Sequence, residues 1–153
     1  MPFYSTEECA TFIKDLIWDN RASLTPVGGD ELKAAYPADQ KLIPTFPSVI
    51  VVPDTVEREL VATGMQVALM LNVQIYVMHA KLTKTKTRRT QEDIQMARNI
   101  VTLLHQNRTM DNNVIVGVVF REDPGRLSTP QGQAVVGTRL SWRAEQREHI
   151  WAS

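Results

Sequence analysis

The chain has 153 residues, 43% apolar and 22% charged, with a formal net charge of zero and a single cysteine. Those values fit one globular domain with a substantial core, leave too few residues for two domains, and exclude a disulfide framework within the chain. The N-terminal MPFYSTEECA lacks the basic region and apolar core of a signal peptide, and no apolar run approaches the roughly 18 residues needed to cross a bilayer, so a cytosolic origin without membrane insertion is expected.

The charges are segregated along the chain. Residues 1 to 60 carry five Lys/Arg against ten Asp/Glu, residues 61 to 121 carry eight against three, and residues 122 to 153 carry four of each. Solvated faces account for such a pattern. So does a head-to-tail meeting of acidic and basic surfaces on neighbouring copies, the contact type that builds rings.

Ser5 followed by Glu8 fits a capping box, and Cys9, Phe12, Ile13, Leu16 and Ile17 follow at helical spacing, predicting a helix over about residues 6 to 19. Cys9 belongs to its apolar stripe and reads as a buried, inert thiol. Residues 20 to 46 hold Gly28, Gly29, Pro26, Pro37 and Pro44, with Asp30 to Ala35 the one stretch resembling a helical turn. A connection this long either packs on the body or serves as a contact surface.

Pro47 to Pro53 reads as a short strand bounded by prolines and buried on both faces. Val56 to Ala62 is either a second strand, turning at Thr63-Gly64 into the next element, or a helical turn; the hairpin is preferred. From Gly64 to Leu82 the apolar residues alternate, with Val67, Leu69, Leu71, Val73, Ile75 and Val77 on one parity. That is a strand with one buried face. Ala68, Met70, Tyr76 and Met78 make the other face too apolar to be left wholly in water. After Val77 the parity flips, which predicts a bulge or bend there. The stretch would span roughly 60 Å, so it either breaks near Asn72 or projects from the body as an arm.

Lys81, Lys84, Lys86, Arg88 and Arg89 then place five positive charges in nine residues with no acid, which predicts a solvated loop. It lacks the aromatics that stack on bases, so it would meet phosphates without reading sequence. Thr90 with Asp93 caps a helix over about residues 91 to 106, with Ile94, Ala97, Ile100, Val101 and Leu104 as its stripe and His105 in its last turn. Asp111 to Asn113 is turn chemistry, and Val114 to Phe120 is an apolar strand. Residues 121 to 133, with Arg126 among them, read as an exposed loop. Ala134 to Arg143 is a final strand with Val136, Thr138, Leu140 and Trp142 on one face. The charged tail ends in His149, Ile150 and Trp151, and the last two dock on this chain or on another.

These elements make an α/β, more narrowly α+β, subunit: a mostly antiparallel sheet of about four to five strands, two helices packed on one face, and one long strand or hairpin arm. No nucleophile elbow, Walker loop, GxGxxG or metal-spaced pair occurs, and His79, His105 and His149 are far apart. Neither an enzyme nor a cofactor is expected. The other function classes are a nucleic-acid-binding module using the basic loop and a small enzyme assembled from residues distant in sequence.

The order of elements resembles the tail terminator and tail completion proteins of long-tailed bacteriophages, the lambda gpU-like neck group. The residues carrying it are FPSVIVVP (Phe46 to Pro53), VQIYVMHAKL (Val73 to Leu82), TQEDIQMARNIVTLLHQN (Thr90 to Asn107), NNVIVGVVF (Asn112 to Phe120) and VGTRLSWRAE (Val136 to Glu145). The resemblance implies a structural virion protein, made in the host cytoplasm, that forms a hexameric ring on the head-proximal end of the tail tube. Such a ring stops tube growth, joins the tube to the head-tail connector or head-closure protein, and lets DNA pass without sequence-specific binding. Similar layouts occur in other head-tail joining proteins of the neck. It carries no catalytic residue. The candidate contact residues are Lys84, Lys86, Arg88 and Arg89 for an acidic tube or connector surface or the DNA channel, Met70 and Tyr76 for a subunit boundary, and Arg126 and Trp151.

Overall fold

The computed structural model describes residues 2–61 and 66–149. The elements are α1 (Thr6–Asp19), α2 (Arg21–Leu24), β1 (Ala34–Tyr36), β2 (Ser48–Leu60), β3 (Gln66–Lys81), α3 (Gln91–Gln106), β4 (Val116–Ser128) and β5 (Ala134–His149). The strands form one sheet in the order β1-β2-β3-β5-β4, antiparallel except for the β1–β2 pair. This is the expected α+β architecture, with a third, one-turn helix.

Both long helices begin as their caps dictate. The Ser5 hydroxyl accepts from the Glu8 amide at 3.2 Å. Thr90 and Asp93 form a full reciprocal box, which satisfies two amides that have no partner within the helix. The buried stripe Cys9, Ile13 and Ile17 of α1 and Met96, Ile100, Leu103 and Leu104 of α3 packs on one face of the sheet, against Leu69, Leu71, Val73, Ile75 and Val77 of β3 and Leu140, Trp142 and Ala144 of β5. Cys9 is fully buried and its thiol is pushed up to about 12, chiefly by burial, so it is inert as expected.

The stretch from 66 to 81 neither breaks at Asn72 nor projects alone. It is one unbroken central strand, paired to β2 on one side and β5 on the other. Two neighbours supply the backbone partners that an arm would leave to water. The register slips between Met78 and Ala80, two residues beyond the expected bend. The parity flip has a second cause: Met78 lies on the face opposite Val77 and is buried there with Ile43, Ile50 and Val135. The segment between β1 and β2 folds over that corner, so the apolar pattern changes where the second face becomes covered.

Several boundaries differ from those the sequence predicts. The helical turn of the long connection is Arg21–Leu24, and part of Asp30 to Ala35 belongs to a strand, β1, whose residues gain their partner from β2. The strand starting after Pro47 does not stop at Pro53, which stays in register with Val73, but continues to Leu60 past a bulge between Pro53 and Val56. The Val56–Leu60 half pairs with Val67–Leu71, so the hairpin is the correct alternative; its turn at Thr63-Gly64 lies outside the described residues.

Residues 121–128, expected as loop, continue β4 along β5 through Pro124 and Gly125. An edge strand tolerates proline because only one side of its backbone is paired. The last strand extends past Arg143 to His149. Gln146 continues the face of Trp142 and Ala144, but as a polar residue whose amide donates to the carbonyls of Asn113 and Phe3 at 2.7 and 3.2 Å.

Trp142 is among the largest fully buried side chains, and it lies over Gly117, where an added Cβ would approach the indole to 2.3 Å. A Gly117→Ala substitution is therefore expected to destabilise the fold by about 1–3 kcal/mol through overpacking. The check is the urea midpoint, with Gly117→Ala costing less in a Trp142→Leu background than in the native one, since the indole that the added Cβ would strike is gone.

Candidate interaction surfaces and a buried polar clasp

The basic stretch after β3 is divided in its use. Lys81, Lys84 and Arg88 are exposed, as a solvated loop requires. Lys86 and Arg89 turn inward. Lys86 Nζ reaches Asp93 Oδ2 at 2.9 Å, and Arg89, whose side chain is 15% exposed, donates to Thr138 Oγ1 at 3.1 Å and lies 3.6 Å from Glu122 Oε1. These two residues hold the loop to the start of α3 and to β4 and β5. The loop is thus anchored as well as solvated.

His79 continues the parity of Val77 and lies on the helix side, against the same groups. Its Nε2 is 3.0 Å from Thr138 Oγ1 and its Nδ1 is 3.8 Å from Asp93 Oδ1. Thr138 Oγ1 is thus shared between the Arg89 guanidinium and His79 Nε2, and the other ring nitrogen, Nδ1, faces Asp93. The Nδ1 has no hydrogen-bond partner. Burial lowers the His79 pKa to about 4; Asp93 opposes the shift, and Arg89 and Lys86 add to it. Asp93 is itself held below the usual carboxylate range: burial raises it, but the Thr90 amide, Lys86 and His79 together outweigh that effect.

Carboxylate, imidazole and hydroxyl in this order resemble a hydroxyl-activating relay. Here Thr138 is fully buried within β5 and its oxygen already accepts from Arg89. The cluster is a clasp fixing loop, helix and sheet together. A cleft of about 290 Å³ lies beside it, lined by Gly28, Gly29, Asp30, His79, Lys86 and Asp93. Among the described residues no group of three or more His, Cys, Asp or Glu is arranged to hold a metal ion. Nor is any described helix long and apolar enough to cross a membrane.

Among the described residues, an apolar cover on the sheet face away from the helices is found at the Met78 corner. Over the middle that face is a hydrogen-bonded polar lattice. Asn72 donates to Thr55 O at 3.0 Å and accepts from Arg143 Nε at 2.9 Å. Ser141 donates to Gln74, which donates to Asp54. Asp123 receives Arg139 and Arg121, both at 3.1 Å, and the Arg139 hydrogen bond is the first cause of its lowered pKa.

Met70 and Tyr76 both lie on this face, half-buried. They differ in surroundings: Tyr76 packs against the Met78 corner. Arg126 is exposed on β4, paired with Val136, which neighbours the Val135 that pairs with Lys81. The register therefore gathers Lys81 and Arg126 at one end of the sheet. Trp151 lies outside the described residues.

Sequence reasoning missed an apolar strip. Ile115, just before β4, and Val116, Val118 and Phe120 on that edge strand are 37–52% exposed. The signal was present: Val114 to Phe120 is apolar at both parities, whereas a one-face-buried edge strand needs only one. The Phe120 ring is stacked under Arg143 at 4.8 Å. Between this strand and α3 runs a groove of about 460 Å³, lined by Arg98, Val101, Thr102, Phe120 and Arg121. A second groove, of about 450 Å³, lies on α1, between Phe3 and Phe12 with Glu7, Glu8 and Asp15 around it.

No protein-family model matches this sequence, and no curated protein matches it.

Two outcomes follow from the clasp. His79 binds a proton in the unfolded chain near pH 6.5 but not in the folded one until about pH 4. Its contribution is thus fully present above 6.5 and is lost as pH falls through this window, by on the order of 3 kcal/mol at about 1.4 kcal/mol per unit. Asp93 adds its own loss only at lower pH. Urea midpoints measured from pH 7 to 4 should fall for the native chain and stay flatter for His79→Gln.

The basic residues should also separate by role. Lys86→Ala or Arg89→Ala is expected to cost about 1–2 kcal/mol through a lost charge-assisted hydrogen bond, whereas Lys84→Ala and Arg88→Ala stay within about 0.5 kcal/mol. Thermal melts of the four variants decide this.

Proposed function

We propose that this chain is a structural, ring-forming subunit of a phage neck: a tail terminator that caps the head-proximal end of the tail tube and joins it to the head-tail connector. The observation carrying this reading is a pair of unpaired strand edges. β1 pairs only with Ser48–Ile50, so β2 from Asp54 to Leu60 has no outer backbone partner among the described residues. On β4 the amides of Gly117 and Val119 are taken by Arg108 O and His105 Nε2, but from Phe120 to Ser128 no outer partner is present among them.

The two open edges lie at opposite ends of the strands and on opposite sides of the sheet. That arrangement suits a subunit completed by a neighbour on each side, which also protects its edges from uncontrolled pairing. The segregated charges and the order of elements support the same reading. The exposed end bearing Lys81, Lys84, Arg88 and Arg126 is where an acidic tube or connector surface, or the DNA passing through the lumen, would be met. A head-closure or other head-tail joining role uses the same ring and differs only in its station. The reading requires neither catalysis nor a cofactor, and places the protein in the virion.

Negative-stain electron microscopy and sedimentation of the purified chain test it: ring-shaped particles are expected, and a population of monomers at all concentrations removes the proposal. Met70→Asp is the better probe of a boundary on the open face, because Tyr76 serves its own core; loss of rings with an unchanged melt would locate the boundary there. A nucleic-acid module would instead bind duplex DNA with an affinity falling steeply with salt.

A further inference from the structure

The two apolar grooves differ in the charge around them. On α1 the Phe3–Phe12 pair, in edge contact at 5.8 Å, floors a groove whose exposed rim is Glu7, Glu8 and Asp15. None of the three acids has an ion-pair partner among the described residues. Between α3 and β4 the rim is basic. Arg98 is exposed and unpaired among the described residues; Arg121, 63% exposed in its side chain, shares Asp123 with Arg139, and Glu122 lies 3.6 Å from Arg89, so the rim stays basic on balance. Phe120, 52% exposed, lines the lip of that groove with one side of its ring stacked on Arg143 and the rest in water.

We infer that these two surfaces are the halves of one contact between copies of this chain. Phe120 of one copy enters the Phe3–Phe12 groove of the next, while Arg98 and Arg121 meet Glu7 and Asp15. The inference deepens the ring reading and rests on it, naming the surfaces by which copies join. A second copy is the occupant because each groove finds its complement on the same molecule: similar volume, opposite rim charge, and no residue in common. Two different surfaces that fit each other make a heterologous contact, the kind that repeats around an axis; a two-fold contact would need one surface to fit itself. An apolar anchor within a charged rim is also how such an interface gains affinity at its centre and register at its edge.

Charge reversal decides the matter, with assembly read by sedimentation velocity and folding by thermal melt. The wild-type chain is expected to assemble, and Glu7→Arg/Asp15→Arg or Arg98→Glu/Arg121→Glu alone to weaken assembly at least tenfold in the concentration required. The chain carrying all four substitutions should regain most of the assembly, since opposite charges again face each other. Phe120→Asn, on an exposed side chain, should weaken assembly without lowering the melt and serves as the second probe if a reversal variant folds poorly. Assembly of the wild type that survives both reversals and Phe120→Asn unchanged overturns this contact and leaves the ring reading standing. A wild-type chain that stays monomeric overturns the ring reading, and this contact with it.

Discussion

The pairing of β3 on both sides is the constraint from which the rest of the molecule follows. Its backbone is satisfied by β2 and β5, and its odd-numbered side chains from Leu69 to Val77 are buried under the helices. Removing this face from water is the main favourable contribution to the core, at about 25 cal/mol per Å² of apolar surface. Once β3 is fixed, β5 is placed by it and β4 by β5, and the helices lie on the side where the apolar parity points.

A sheet buried on one face has to resolve the other. Here the resolution changes along the strands. At the Met78 corner the connection before β2 supplies Ile43 as a cover. Across the middle, Asn72, Gln74, Ser141, Arg139 and Arg143 bond one another and the acids of β2 and β4. Polar groups tied in this way stay fixed while remaining compatible with water, so the face needs no partner to be stable. The apolar strip on β4 has no such polar lattice among the described residues, and an exposed apolar strip of this kind is a feature that contact surfaces share.

The clasp around His79 explains how a loop with five cations is held without a core of its own. Alternation past Val77 turns His79 toward α3, and Asp93, already the cap of that helix, becomes the acceptor for Lys86. One carboxylate thus starts a helix and ties down the loop before it. The cations not needed for this, Lys81, Lys84 and Arg88, remain outside. Electrostatics and packing therefore divide a uniform stretch of sequence into anchored and exposed residues.

The sequence by itself determined the elements whose signal is local. Periodicity and caps located α1 and α3 within a residue or so, and strict alternation located β3, because burial of one side repeats along a helix or strand at a fixed period. What it left open depends on partners distant along the chain. Residues 121–128 and Ala34–Tyr36 carry no strand pattern of their own; each is a strand because a neighbour presents a row of backbone donors and acceptors to it. Likewise Lys86 cannot be told from Lys84, nor His79 recognised as buried beside Asp93, until the fold sets the distances. Tertiary structure alone decided these, since a backbone ladder or a charge pair is a relation between two segments and leaves no period in either.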